Sequence, residues 1–436
     1  MSKRLQYAVV TGSTCLLLFL LMGVVMGRGN AAEDAYKHFA VFTEVISRIK
    51  SEYVEEPEMK NVTLGALNGM LESVDPYASY LSADQYKQYL KAKETLKGGT
   101  GLIVSRRYGY VGVVNSIPGS PADKQGLGTG DVIETIAGVS TRDMPLAYAE
   151  MLLRGEPGSN VELAVLRVRR GAEAQKIALA RAIFAPPPAT AKMLPNETGL
   201  ITAPVLDGGR GKEVAERVRE LERQGAKRLV LDLRGNASGS PEDGLALANL
   251  FLDKGRMTYL VGQKVARKDF DAAPGSVITK LPLVVIANRG TAAGAEIAAS
   301  ALLDNKRADV VGERTYGDAA LRKALTLEDG SAVILSVAKY HNAAGKAIQD
   351  NGVTPSLAVA GPEPDSDDDD NAAPNAPPKP KSDEDLQLKK AIEVVTVGLA
   401  AAKKTDAKQA KGPGPDGGAI DRTLTPAGPL GVPRPK

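Results

Sequence analysis

Residues 288–300 read NRGTAAGAEIAAS and follow the apolar run LPLVVIAN. A tight turn between a buried strand and an Ala-rich helix is where many α/β enzymes hold a nucleophile, because the turn lifts one side chain clear of the sheet. Here that chemistry lacks its atom. The hydroxyls in the stretch are Thr291, at its start, and Ser300, two turns later, with alanines and a glycine filling most of the interval. Thr291 should point elsewhere on such a turn, and Ser300 suits packing or capping within its helix.

Other groups capable of acyl transfer are few. Ser238 and Ser240 follow the strand-like KRLVLDLRG, and a displaced nucleophile there would need Asp232, Asp318 or Lys323 as its base. The chain has two histidines, His38 and His341, and a single cysteine, Cys15. No His/Cys metal cage can be assembled from that set, so neither a metal nor a cofactor is expected. A Ser-His-Asp triad built on His341 stays open in principle, although KYHNAAGK reads as a loop.

The bulk composition narrows the partners. With 436 residues there is room for two or three domains, and the formal charge of +3 comes without a concentrated basic stripe, so nucleic acid is not expected. Tryptophan is absent, which removes the usual stacking platforms. Near the N-terminus, Lys3 and Arg4 precede YAVVTGSTCLLLFLLMGVVM, residues 7–26, an uncharged run long enough to cross a bilayer. Basic residues before it and Glu33 and Asp34 after it orient the N-terminus to the cytoplasm. Residues 1–31 are therefore read as a signal anchor, with a signal peptide cleaved near Ala31 or Ala32 as the rival. The remainder is expected to face the periplasm or cell exterior, and it holds no cysteine.

The elements that must position any site follow from periodicity. Residues 32–95 repeat apolar positions at three- and four-residue steps and read as a helical domain, with Ser82 as an N-cap. From 96 to 182 short apolar runs alternate with turn signals, giving a small β domain with a short helix, SPADKQGL, ending at Gly126. The order VVNSIPGSPADKQGLGTGDVIETIAGVST resembles a PDZ domain of the bacterial, circularly permuted type. That resemblance assigns Gly98, Gly99, Thr100, Gly101 and Leu102 to the loop whose backbone N–H groups receive a peptide's terminal carboxylate. After the Pro-rich connector APPPATAKMLP, residues 183–360 alternate buried strands with amphipathic helices, which implies a largely parallel sheet covered on both faces. Residues 361–381 are acidic and then proline-rich, 382–404 suit one helix capped by Ser382, and 405–436 are low-complexity. Both flanking stretches are too polar to bury a core and are expected to be disordered.

The blocks GALNGMLESVDPYASYLS, LVLDLRGNASG, VVIANRGTAAGAEIAAS, DNKRADVVGERTYG and AKYHNAAGKAIQDNGVTP, in this order, resemble the C-terminal processing (tail-specific) serine peptidases. The resemblance implies a multidomain α+β and α/β protein: an N-terminal helical segment, a PDZ domain, a peptidase core similar to the ClpP/crotonase fold and a disordered tail. It also implies a serine in a G-S-A-S-A-S-E turn, a lysine base in G-E-K-T-F-G-K-G and a glutamine four residues later. Laid without gaps on this chain, those positions fall on Ala293, Asp318 and Arg322, at the family's own spacing. The N-N-P-G-G of the family's oxyanion loop is replaced by Gly235-Asn236-Ala237-Ser238-Gly239, of which Ser238 and Gly239 remain as backbone donors.

The expectation is thus a peptidase homologue without its Ser/Lys dyad, binding C-terminal peptides of exported proteins through its PDZ domain as a scaffold, adaptor or regulator. Asp318 and Arg322, four residues apart, should form an ion pair. Homo-oligomers, or hetero-oligomers with an active family member, stay open. The alternative is an active serine-type endopeptidase that cleaves unfolded or tagged proteins near their C-termini with a displaced nucleophile.

Overall fold

The computed structural model describes residues 40–107, 109–167, 173–361 and 384–409, so the apolar run 7–26, His38, Ser382 and most of the acidic linker and tail lie outside the described residues. Among the described residues no helix is long and apolar enough to cross a membrane. The chain divides into two compact units, Met1–Val74 and Asp75–Lys436. In the first unit the described residues are helical over 40–52 and again over Met59–Val74.

In the second unit the helical reading of residues 75–95 holds only in part. Ala83–Thr95 is a helix closed by a capping box, with the Ser82 hydroxyl and the Gln85 side chain each bonding the other's backbone N–H. Just before it, Ser79–Leu81 is a strand pairing antiparallel with Ala332–Ile334. Three residues carry too short a pattern to be told from a helix turn; the pairing partner 253 residues away decides it.

The β domain is a six-stranded antiparallel sheet in the order Leu102–Arg107, Tyr110–Ser116, Val132–Ile136, Asn160–Leu166, Gln175–Ala180, with Val139–Ser140 beside Val132–Ile136. Val111, Val113, Ile133, Ile136, Leu163 and Val165 point to one face and form its core with the helix Leu146–Leu153. Leu102–Arg107 lies at the sheet's edge, with one row of its backbone groups paired by no other strand among the described residues.

The peptidase-like part contains two sheets. One runs in the order Leu357–Ala358, Ala308–Gly312, Leu283–Ala287, Arg228–Asp232, Thr198–Thr202, Thr190–Leu194; the first five are parallel and the last is antiparallel. Alternation sorts its side chains. Leu229, Leu231, Val285 and Val310 face the helices Gly211–Arg223, Pro241–Asn249 and Ala293–Asp304, whereas Val230, Val284, Ile286 and Val311 face away. The second face is covered by the tail helix Leu386–Val397 through Ala391, Val394 and Val395. This helix is capped by Asp385, which accepts from the Leu388 amide at 3.0 Å. Gly398, at φ 85°, separates it from a second helix, Leu399–Gln409. The single helix expected over 382–404 is therefore two.

The last sheet is antiparallel: Ala332–His341 pairs with Ser79–Leu81, Arg256–Val261 and Ala320–Thr326, and Arg256–Val261 also pairs with Lys268–Asp271.

Candidate functional site

The strand Leu283–Ala287 is buried along its whole length and ends at Asn288, whose side chain accepts from the Gly235 and Gly290 amides at 2.9 and 3.0 Å. The turn it braces leads into Ala293–Asp304. Ala293 opens that helix at φ 52°, a left-handed conformation that costs an L-residue about 1–2 kcal/mol. The strain is that of a nucleophile elbow, and the side chain it presents is a methyl group. Gly294 follows, where an added Cβ would meet the Ser240 carbonyl oxygen at 2.5 Å. Two backbone bonds, Ala292 N–H to Asn236 O at 2.9 Å and Gly294 N–H to Gly239 O at 3.3 Å, lay the elbow against the loop 235–240.

That loop is the one whose Ser238 and Gly239 the family resemblance assigns to an oxyanion site. Among the described residues the amides of Ser238, Gly239 and Ala293 donate to nothing. The Ser238 hydroxyl is buried without a hydrogen-bond partner. Ser240 is committed elsewhere: its hydroxyl caps Pro241–Asn249, accepting from the Asp243 amide at 3.1 Å and donating to the Asp243 carboxylate at 2.9 Å. Thr291 is fully buried, its hydroxyl donating to Leu233 O at 2.8 Å, so it serves the turn and not a reaction. Ser300 is buried within the helix.

Residues 315–318 run alongside the elbow, held by Glu296, one turn beyond Ala293. Its carboxyl accepts from the Thr315 hydroxyl, from the Gly317 amide at 2.6 Å and from the Asp318 amide at 2.8 Å. Burial pushes the Glu296 carboxyl up to about 8 against the pull of those donors. Sequence reasoning did not single this residue out, although it is the one acidic group of the elbow block.

Asp318 and Arg322 form the expected ion pair, with both side chains partly buried. The geometry is not that of a regular element. Asp318 lies in the loop, and a bulge between Leu321 and Arg322 turns Arg322 back toward it. The Arg322 guanidinium also lies 3.9 Å from the centroid of the Tyr77 ring, a cation–π contact. Burial opposes the Arg322 charge, but Asp318 beside it more than offsets this and raises its pKa. The Tyr77 hydroxyl is pushed well above its usual range, first by burial and then by the Asp318 charge.

The other candidate bases are spent or displaced. Asp232 is paired with Arg234 at 2.6 Å. Arg234 in turn reaches Asp385, at 2.8 Å, and so ties the tail helix to the start of the oxyanion loop. Lys323 is exposed on the strand Ala320–Thr326. His341 ends a strand instead of sitting in a loop, stacked 4.8 Å from the Tyr259 ring with Nδ1 on the Lys339 carbonyl. Neither contact is that of a triad.

The loop 98–102, assigned by resemblance to a peptide carboxylate, divides in use. Gly98 and Gly99 donate their amides at 3.0 Å to Gly155 O and Ala182 O, so these two glycines close the β domain and offer no N–H to an anion. The Thr100 and Gly101 amides donate to nothing among the described residues. Gly101 has φ 82°, and a Cβ there would overlap the Ser120 side chain at 2.1 Å, so the position admits only glycine. Leu102 pairs with Ser116 at the start of the edge strand. The β domain touches the elbow directly: Val114 packs with Ala237 and Ala292, the Asn115 amide donates to Gly235 O, and the Ser105 and Tyr316 hydroxyls bond. Among the described residues no cluster could hold a metal ion.

A strand-to-helix elbow with undonated amides beside it, next to a small antiparallel β domain with a glycine-rich loop at its free edge, is the arrangement of a hydrolase scaffold fused to a peptide-binding domain. Comparison with known proteins gives the same classes, with residues 197–359 matching peptidase family S41 and residues 112–167 matching the PDZ domain. The Bacillus subtilis carboxy-terminal processing protease CtpA is 31% identical over 355 residues, which cover 81% of this chain and 76% of that one. The Synechocystis carboxyl-terminal-processing protease is 31% identical over 366 residues, 82% of each chain. Among solved structures, a photosystem II D1 C-terminal processing protease aligns with a TM-score of 0.60 and 27% identity over 74% of this chain and 92% of that one. The chain belongs to the carboxy-terminal processing protease family.

Proposed function

We propose that this protein is a non-catalytic member of that family, tethered through residues 7–26 with its folded part on the far side of the inner membrane, where it captures the C-termini of exported proteins. The observation that carries the reading is the elbow itself. Ala293 keeps the strained backbone of a nucleophile and has no atom that can be acylated, and the base position is occupied by a carboxylate already paired with Arg322. Peptide capture needs no side-chain chemistry. An extended C-terminus adds to the free edge of Leu102–Arg107 and places its carboxylate on the Thr100 and Gly101 amides.

A second reading draws on one observation, the buried and unpartnered Ser238 hydroxyl beside the unpaired loop amides. In it, Ser238 replaces the lost serine and the protein is a working endopeptidase.

One experiment separates them. The full-length protein is incubated with an unfolded protein bearing an apolar C-terminus, and binding and cleavage are followed together with labelling by a fluorophosphonate. Binding without cleavage or label is the expected result. Cleavage, with label lost in Ser238→Ala, would establish the second reading and reject the first.

A further inference from the structure

Residues 75–81 join the peptidase core to the PDZ domain. On the core side, the Asp75 carboxylate accepts from the Ser336 amide at 3.0 Å, and Ser79–Leu81 pairs with Ala332–Ile334. On the other side, the Ser79 hydroxyl accepts from the Ala147 amide at 3.1 Å, in the first turn of the PDZ helix Leu146–Leu153. That helix begins at Pro145, which supplies no capping side chain, so the cap comes from the strap. Two residues earlier, Tyr77 is buried in the PDZ core with Val104, Leu146, Ala149 and Leu153. The ring that packs there is the one that Arg322 stacks on.

Asp318, at the family's lysine position, therefore sits at the end of a continuous line of contacts: Asp318 to Arg322, Arg322 to Tyr77, and Tyr77 into the PDZ core. Glu150, on the same PDZ helix, feels the Arg322 charge. Although Glu150 presents much of its surface to solvent, loss of water around its carboxyl raises its pKa, with Arg322 and Arg154 pulling the other way.

We propose that Asp318 and Arg322, standing where the family places its base and the residue that orients it, form a latch that fastens the PDZ domain to the core through Tyr77. Both substitutions are required. A glutamine at 322 has neither the charge nor the flat cationic face that stacks on the ring. A lysine at 318 would repel Arg322 instead of holding it. The latch bears on peptide capture, because a strand added at Leu102–Arg107 lies beside the helix Leu146–Leu153 that the strap holds. Its existence does not depend on that capture.

The test measures the distance between the two parts directly. Full-length protein carrying Cys15→Ser receives nitroxide labels at Lys176→Cys, exposed on the PDZ sheet, and Lys254→Cys, exposed on the core. Pulsed electron spin resonance should give one narrow distance. Arg322→Gln should replace it with a broad distribution, and Arg322→Lys, which keeps the charge and loses the flat stack, should fall between. The lysine variant also decides the matter if the glutamine variant does not fold. Distributions superimposable on the parent in the folded variants overturn the latch. A parallel titration with a fluorescent peptide ending in a free carboxylate keeps the two claims apart: absent binding with broadened distances removes the capture reading alone, and intact binding with unchanged distances removes the latch alone.

Discussion

The glycine loop 98–102 of the PDZ domain and the elbow of the peptidase core are built from the same material. Each is a small-residue turn whose left-handed backbone leaves amides undonated, Thr100 and Gly101 in one, Ser238, Gly239 and Ala293 in the other. They differ in what the function asks of side chains. Anion capture would use N–H groups alone, so any sequence that keeps the turn keeps those donors. Acyl transfer also needs a nucleophile and a base, and the elbow carries Ala293 while Asp318 is paired with Arg322. On the proposed reading, function built from backbone persists where function built from side chains is lost.

The largest effect that would sharpen this contrast is catalytic. Ala293→Ser/Asp318→Lys/Arg322→Gln should gain cleavage of an unfolded substrate, and Ala293→Ser alone should not. Losing a catalytic serine costs on the order of a millionfold in turnover, so even partial recovery is readable. Turnover by the unaltered chain at the triple variant's rate would break the contrast.

Next in size, Gly101→Val should abolish binding of a peptide with a free C-terminus while the core's helical circular dichroism survives. The added Cβ overlaps Ser120, and φ 82° disfavours a branched residue. Undiminished affinity by fluorescence anisotropy would remove the carboxylate loop from the argument.

Arg234→Ala should destabilise the protein by on the order of 2–4 kcal/mol, because Asp232 would lose its partner in a buried setting. Amide exchange should rise first in Leu386–Val397, which loses the Asp385 contact. Uniform exchange would instead show that apolar packing alone retains the tail helix.

Glu296 makes a prediction with a definite sign. Its pKa is about 8 when folded and about 4.3 in an unfolded chain, so between those values the folded state holds a proton the unfolded state has released. The contribution to stability is full below pH 4, declines as pH rises and is gone above the folded value. The melting temperature should therefore fall from pH 5 to pH 9 more steeply than in Glu296→Gln. Parallel curves would place a charged Glu296 in the fold throughout.

The smallest effect tests a residue that sequence left open. Ser240→Ala should cost about 1 kcal/mol, the loss of one helix cap, with peptide binding unchanged. A loss of any acylation signal in that variant would return Ser240 to the list of nucleophiles.

Much of this was legible in the chain, and for a physical reason. Period and turn chemistry are local, so the helix after Ser82, the short helix ending at Gly126 and the buried strand before the elbow follow from neighbouring residues. The four-residue spacing of Asp318 and Arg322 was enough to expect their ion pair. Local pattern fails where the partner is remote. Ser79–Leu81 is a strand only because Ala332–Ile334 lies beside it, and the tail helix covers a sheet face that nothing in its own sequence names. Gly98 and Gly99 match the carboxylate loop in type, yet Gly155 and Ala182 take their amides.

What the sequence determined by itself is the inventory: which atoms exist to react, and none able to be acylated stands at Ala293. Tertiary structure decided their employment. It turned Ser240 into a cap, buried Thr291 in a turn, raised the Glu296 carboxyl by surrounding it with protein, and laid Arg322 on Tyr77. Composition is carried residue by residue, whereas burial and partnership arise only when distant segments exclude water between them.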